Sequence, residues 1–156
     1  MNYLIFCSFE VGGFPYKMAQ TLNRHGIRTY YISMSNSSNN HDSTEFHYGK
    51  RNEDWDLSSL FDRKCHNSGK DVKILKYIKS KYNTGGCFAT GHKSYLLAKA
   101  GIEYKYWCYG SDLDQYCKFF VFPENFPFWK KLIFNPYFLL TFCRKQKESI
   151  ARAKSL

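Results

Sequence analysis

The clearest pattern in the chain is an almost unbroken run of apolar and β-favouring residues at 3–9, YLIFCSF. Such a run is typical of a strand that is buried on both faces of a parallel sheet. Apolar positions then recur at helical spacing between Pro15, which suits a first helical turn, and Gly26, which suits a helix stop. A second β-favouring run follows at 27–34. The start of the chain therefore predicts a right-handed strand–helix–strand crossover.

The middle of the chain alternates polar and apolar segments. Residues 35–43 are polar and predict a surface loop, and a short strand is expected at 44–49. Helices are predicted at 56–65, where Asp56 is a candidate N-cap, and at 71–82, where lysines form a solvated face. These segments lead from the first crossover to a second one.

The second crossover consists of a strand at 87–90, a helix at 92–100 and a strand at 103–110. Its order of elements repeats that of the first crossover, with a glycine-containing bend at each strand end. Two such units predict an α/β fold: a doubly wound, mainly parallel sheet with helices on both faces. Ligand-facing loops are expected at the carboxyl ends of the strands.

The character of the chain changes after residue 114. Residues 115–156 are aromatic, contain three prolines and end in a strongly basic segment. We interpret 1–156 as a single domain, in which 1–114 form the α/β core and 115–156 form a mostly helical extension.

Composition and charge limit the classes of partner that we expect. Hydrophobic residues make up 44% of the chain, which argues against disorder, and aromatic residues make up an unusual 19%. The 23 Lys and Arg against 13 Asp and Glu give a formal charge of +10. A basic surface can meet nucleic acid, anionic lipid or phosphorylated small molecules, and charge alone does not choose among them.

Cysteine usage and hydropathy indicate the compartment. The 6 cysteines form no C-x-x-C pair and no Cys/His array at zinc-ligand spacing, so we interpret them as free thiols and predict no metal site. No apolar stretch reaches the roughly 18 residues of a membrane-spanning helix, and the N-terminus lacks the basic segment of a signal peptide. We expect a cytoplasmic protein.

Two adjacent glycines, Gly12 and Gly13, separate the first strand from the first helix. The dinucleotide-binding pattern G-x-G-x-x-G is absent, and the second strand ends without the acidic residue that would hold the ribose. The P-loop pattern is absent as well. Alone, a Gly-Gly turn is more often a steric necessity than a site, although it lets a ligand approach the backbone at a helix N-terminus.

The order of several motifs resembles a known family. A buried first strand, the Gly-Gly loop and the helix MAQTLNRHG are followed by FATGHKSYLLAKAGI and then by WCYGSDL. In this order and spacing, residues 3–114 resemble the N-terminal domain of a GT-B glycosyltransferase of the glycosyltransferase family 4 (group 1) type. The resemblance implies a single Rossmann-like domain that forms the acceptor side of an interdomain cleft.

The resemblance places Gly12 and Gly13 in the loop that lines this cleft, near the donor phosphate and the acceptor. Glu10 would orient or deprotonate an acceptor hydroxyl in an inverting reaction. Its alternative is a solvated loop residue. Lys17, on the first helical turn, is a candidate phosphate contact, and its alternative is an ordinary surface lysine.

His92 would lie at the cleft, where it would contact the transferred sugar or assist its chemistry. The alternative is that His92 belongs to the N-terminal cap region of a short helix. Gly110, Ser111 and Asp112 would border the same cleft at the next strand end. Asp112 alternatively caps a helix that begins at Leu113.

The resemblance also implies a reaction. A sugar would pass from a nucleotide-sugar to a glycan or lipid-linked acceptor in surface polysaccharide biosynthesis, with no cofactor and no metal required by these motifs. The family's donor contacts lie mainly in a C-terminal domain, for which the 156 residues leave no room. We therefore expect half of an enzyme, inactive alone, whose partner is a donor-binding domain or subunit.

The aromatic and basic segment 126–147 has the composition of a surface that docks on anionic membranes. Its alternative is packing of the aromatic side chains against the sheet or against the second domain. Two other classes of function stay open. One is a non-catalytic α/β binding domain, and the other is a nucleic-acid-binding module, which lacks any supporting signature.

Overall fold

The computed structural model describes residues 2–8, 13–34, 53–61, 67–107 and 144–153. The strands in these ranges are β1 (Asn2–Cys7), β2 (Thr29–Ser33), β3 (Thr84–Thr90) and β4 (Lys105–Tyr106). The helices are α1 (Phe14–Arg24), α2 (Ser68–Tyr82), α3 (Tyr95–Lys99) and α4 (Arg144–Ala151), with a short 3-10 helix at Ser58–Leu60.

The strands form one sheet in the order β2-β1-β3-β4. Every neighbouring pair is parallel. In the central strand, Ile5 lies between Tyr31 of β2 and Phe88 of β3. The predicted α/β fold with a parallel sheet is therefore confirmed.

Helices cover both faces of the sheet. Tyr31 contacts Tyr16 of α1, with ring centroids 5.5 Å apart, whereas its neighbour Tyr30 contacts Tyr82 of α2 at 4.5 Å. Because successive residues of a strand point to opposite faces, α1 and α2 lie on opposite sides of the sheet. The helix α3 packs against α2 and so shares its face.

The helix ends have local causes. Pro15 occupies the first turn of α1, and Gly26, with a φ of 78°, follows its last turn as predicted. The helix α2 begins one turn earlier than expected, because the side chain of Asn67 caps it and accepts a hydrogen bond from Gly69 N at 2.9 Å. Asn83, with a φ of 45°, closes α2 in the left-handed region.

Of the helix predicted at 56–65, the residues that the structure describes there form only a 3-10 helix at Ser58–Leu60. Asp56 accepts a hydrogen bond from Ser58 N at 3.0 Å, although the N-cap residue is Leu57. Tyr31 of β2 donates its N–H to Trp55 O at 2.9 Å and accepts one from Leu57 N at 2.8 Å, so this segment pairs with the edge of the sheet. Trp55, Leu57 and Phe61 are all buried. Hydrogen bonding of Trp55 and Leu57 to β2 therefore limits the helix among the described residues to the short 3-10 segment that follows them.

Several boundaries differ or lie outside the described residues. The strand expected at 44–49 lies wholly outside them. The strand expected at 103–110 is present only as Lys105–Tyr106, and its last three residues lie outside. Of the extension at 115–156, residues 144–151 are helical, as predicted.

Candidate functional site

The candidate site lies where the chain leaves two neighbouring strands in opposite directions. From β1 the chain continues to β2 on one side, and from β3 it continues to β4 on the other. In open parallel sheets, ligands bind in the crevice at such a switch point, outside the carboxyl ends of the strands. Gly13, with a φ of 70°, begins α1 here, and Gly91, with a φ of 87°, follows β3. We call the region bordered by Ser8, Gly13 and 90–93 the carboxyl-edge crevice.

Ser8 joins the two strand ends at this crevice. It is 3% exposed, and its N–H and its hydroxyl both donate to Thr90 O, at 3.0 and 2.9 Å. The same hydroxyl oxygen accepts a hydrogen bond from Lys93 N at 3.2 Å. Ser8 therefore fixes the turn after β3 relative to the end of β1.

His92 lies in this turn, two residues before Ser94, the residue that precedes α3. Ser94 stabilises the turn, since its hydroxyl donates to Gly91 O at 2.8 Å. The side chain of His92 is half-buried. His92 thus lies in the segment that leads into the short helix, as its structural interpretation expects, and its role toward a sugar stays a prediction.

Lys93 follows His92 and is also half-buried. Burial is the main reason why the pKa of its ammonium lies below the ordinary lysine value. The carboxylate of Asp71 on α2 opposes this shift, whereas the positive charge of Lys145 on α4 adds to it. The crevice therefore has a partly desolvated cation on its α3 side.

The helix α4 is held against the His92 turn by buried polar side chains. The Ser149 hydroxyl donates to His92 O at 3.0 Å and accepts from Tyr95 N at 2.9 Å. The amide of Gln146 donates to the Tyr106 hydroxyl oxygen, which also accepts Gly91 N at 3.1 Å. Because Gln146 and Ser149 are both 0% exposed, these contacts fix the position of α4.

Gly13 and Lys17 occupy the first turn of α1. Gly13 is buried, and its carbonyl accepts the first helical hydrogen bond from Lys17 N at 3.0 Å. The Lys17 ammonium is exposed and donates to Gln20 on the same helix at 3.0 Å. This contact agrees with the interpretation of Lys17 as a surface lysine, and its role toward phosphate stays a prediction.

Five of the predicted site residues lie outside the described residues. They are Glu10, Gly12, Gly110, Ser111 and Asp112. The structure thus places Gly13 and His92 after the carboxyl ends of two neighbouring strands, and the roles of all the predicted site residues stay predictions.

Apolar space adjoins the crevice on the face that α1 covers. Phe14, at the start of α1, is 53% exposed and meets the edge of the Trp107 ring at a centroid distance of 5.1 Å. A cavity of about 260 Å³ lies next to this pair, lined by Met18, Phe88, Lys105, Tyr106 and Trp107. A second cavity, of about 320 Å³, continues along β3 and β4 past Tyr3 and Gly86.

In the part of the chain that the structure describes, no three His, Cys, Asp or Glu side chains converge as metal ligands. Cys7 and Cys87 are buried there and form no disulfide, and burial raises the pKa of the Cys87 thiol. Among the helices described, none has the length and apolar character needed to cross a membrane.

Sequence reasoning missed Ser8, Gln146 and Ser149 as residues of the site. A signal for Ser8 was present, because it is a small polar residue at the end of an otherwise apolar strand. Gln146 and Ser149 are spaced three apart on one face of a basic helix, so a non-basic polar stripe was visible. Nothing local indicated that this stripe packs against the His92 turn.

Comparison with known proteins adds no relative. No protein-family model matches the sequence, and no curated protein and no solved structure gives a significant match.

Proposed function

We propose that this protein is the acceptor-side domain of a GT-B glycosyltransferase and that the acceptor sugar binds in the carboxyl-edge crevice. One observation carries the proposal: β1 and β3 are neighbours although the chain leaves them in opposite directions. This strand order supports the proposal because the turns of Gly13 and His92 follow neighbouring strand ends, and open α/β sheets bind their ligands at that edge of the sheet.

The residues around the crevice suit a sugar. Gly13 has no side chain, so a ligand can approach the backbone at the start of α1. The imidazole of His92 can donate or accept a hydrogen bond, which suits a sugar hydroxyl. Phe14 and Trp107 offer aromatic surface, and pockets for small molecules combine such apolar walls with a few polar groups.

Transfer also needs a donor. We propose that a second α/β domain, in the same or another chain, binds the nucleotide-sugar and closes the crevice from the opposite side. In that arrangement His92 would lie near the sugar that is transferred. Glu10 and the turn at 110–112 would complete the acceptor side, as the resemblance implies.

Amide NMR of the whole chain tests where sugars bind. Methyl glucoside, UDP-glucose and GDP-mannose serve as separate probes, each titrated into the protein labelled with nitrogen-15. We expect shifts of the amide signals of Ser8, Gly13 and Lys93, which border the crevice. Shifts confined to other surfaces, or none with any probe, would contradict the proposal.

A pair of histidine variants then separates a role in the site from a general effect. His92→Ala should weaken binding of the probe about tenfold, which corresponds to the loss of one hydrogen bond. His25→Ala is the matched control, because His25 is exposed at the far end of α1. Equal binding by both variants would instead favour the non-catalytic binding domain.

We also propose that the protein docks on anionic membrane surfaces through the basic part of 126–147. The supporting observation is that Arg144, Lys145 and Lys147 are exposed on α4. Flotation with phosphatidylglycerol vesicles should recover more protein than flotation with phosphatidylcholine vesicles. High salt should reduce this difference in recovery. Equal recovery would remove this part of the proposal.

A further inference from the structure

Two lysines converge beside the carboxyl-edge crevice. Lys93 lies in the turn that Ser149 and Gln146 of α4 contact, and Lys145 is the residue before Gln146. The hydrogen bonds of Ser149 to His92 O and Tyr95 N place the start of α4 beside Lys93, and the charge of Lys145 lowers the pKa of Lys93 in agreement with this placement. Like charges repel, so this arrangement opposes the docking of α4 unless an anion lies between them.

The Lys93 ammonium has no hydrogen-bond acceptor among the residues that the structure describes. Its hydrogen bonds to these residues are made by the backbone: Lys93 N donates to the Ser8 hydroxyl at 3.2 Å, and Lys93 O accepts from Leu96 N at 2.9 Å. Asp71, which is 4% exposed, is the carboxylate whose charge acts on Lys93, and its effect does not outweigh burial. A half-buried ammonium of this kind is stabilised when an anion supplies the oxygen atoms that the protein does not.

Packing, and not attraction, holds the two lysines together. The buried contacts of Gln146 and Ser149 fix α4 against the turn whatever the charge of Lys145. Arg144 precedes Lys145 on the same exposed end of the helix. The fold thus keeps the positive charges of Lys93 and Lys145 close enough to interact, with the carboxylate of Asp71 also acting on Lys93.

We propose that Lys93 and Lys145 bind a phosphate or diphosphate group of the substrate. A phosphate group suits this place because its several oxygens can accept from two ammonium groups at once. That the phosphate belongs to a sugar substrate rests on the proposed function, because Lys93 directly follows His92, the proposed sugar contact. The phosphate site itself does not depend on that function. The substrate class that fits is a phosphorylated one, either a soluble nucleoside diphosphate or a prenyl phosphate at a membrane.

Calorimetric titration of the whole chain with sodium pyrophosphate tests the site, at an ionic strength held constant with sodium chloride. We expect Lys93→Met and Lys145→Met each to weaken binding about tenfold. The double variant should weaken pyrophosphate binding by less than the product of the two single effects, because the two groups share one ligand. Lys76→Met is the matched control, since Lys76 is exposed on α2, and it should change the Kd by less than about twofold.

Two results would overturn the proposal. One is unchanged binding by Lys93→Met, and the other is an equal loss in Lys76→Met, which would show a general effect of charge. Lys145 is exposed, so its variant keeps the test valid if Lys93→Met does not fold. Thermal melts of each variant establish which proteins are folded.

Further titrations identify the source of the phosphate. Tighter binding of UDP than of pyrophosphate would support a soluble nucleotide, and recruitment to phosphatidylcholine vesicles that contain a prenyl phosphate would support a lipid carrier. Binding to phosphatidylglycerol vesicles without binding to pyrophosphate would overturn the site in favour of a general membrane surface. Pyrophosphate binding without any response to the sugar probes would keep this site and contradict the proposed function. Sugar-induced shifts without pyrophosphate binding would support the proposed function and overturn the phosphate site.

Discussion

Gly86 of β3 lies directly beneath the ring of Tyr3. A Cβ atom at Gly86 would be 2.9 Å from Tyr3 Cδ1, which is closer than carbon atoms pack. We therefore expect Gly86→Ala to lower the free energy of unfolding by about 1–3 kcal/mol, because the ring must move. Urea denaturation measures this change.

A double-mutant cycle controls for other effects of the alanine. In a Tyr3→Ala background the ring is gone, so Gly86→Ala should cost far less than in the original protein. The same cost in both backgrounds would show that the contact with Tyr3 is not the cause.

Tyr104 gives the protein a dependence on alkaline pH. Its side chain is 2% exposed, its hydroxyl donates to Ser149 O at 2.5 Å, and burial raises its pKa to about 12. The unfolded chain loses this proton near pH 10, so the folded state favours the neutral form. Stability from this group is complete below about pH 10 and falls as the pH rises toward 12.

Tyr104→Phe should therefore flatten the decline in unfolding free energy above about pH 10, and should cost about 1 kcal/mol at neutral pH through the lost hydrogen bond. The buried Cys87 thiol, whose pKa is also raised, contributes a decline of the same sign that the variant retains. Tyr77→Phe is the control, because Tyr77 is 50% exposed. An unchanged alkaline decline in Tyr104→Phe would contradict this account.

At the scale of elements, the helix α4 depends on one buried hydroxyl. Ser149→Ala leaves Tyr95 N and His92 O without their shared partner, and burying unpaired groups of this kind costs about 1–3 kcal/mol. Glu148→Ala is the matched control at the preceding position of the helix. It removes a surface ion pair with Arg152 at 2.9 Å, which is worth less than about 0.5 kcal/mol.

Thermal and urea unfolding of the two variants measure this difference. A loss in Ser149→Ala no larger than that in Glu148→Ala would mean that α4 is not held by the contacts of Ser149. The amide signal of His92 should shift in Ser149→Ala and stay in place in Glu148→Ala.

Elements with a local cause could be predicted from the sequence. The apolar run of β1, the spacing of α1 and Gly26 after it are all local, and they were located to within two residues. The full helix predicted at 56–65 does not form in the described residues, because the backbone of Tyr31 pairs with this segment. Tyr31 is distant in the chain, so the helical pattern gave no sign of that pairing.

The residues of the candidate site likewise include some with a local sequence signal and some without one. Gly13 and His92 were identifiable because each follows a predicted strand end. Ser149 was not, since Tyr95 N and the Ser149 hydroxyl are 54 residues apart, and only the folded chain brings them together. Lys93 was overlooked as one more lysine in a basic protein, because burial is not a property of the residue alone.

At the scale of the whole molecule, the order of the strands determines where function lies. The fold class followed from two strand–helix–strand patterns, but neither pattern states which strands are neighbours. The order β2-β1-β3-β4 makes β1 central and places a switch point between it and β3. The same order also decides which part of the sheet opens last.

Hydrogen exchange should therefore follow this order. β1 is paired with β2 and with β3 along most of its length, and Leu4, Ile5 and Phe6 are at most 2% exposed, so their amides should exchange only through global unfolding. Within the described residues β4 pairs only with β3, and Trp107 N, just after β4, donates to Ala89 O at 2.8 Å. The Trp107 amide should therefore exchange through local opening. Exchange followed by NMR should give Ile5 an opening free energy equal to that from urea denaturation, and Trp107 a smaller one. Slower exchange at Trp107 than at Ile5 would contradict this account, because β1 is hydrogen-bonded to neighbours on both sides.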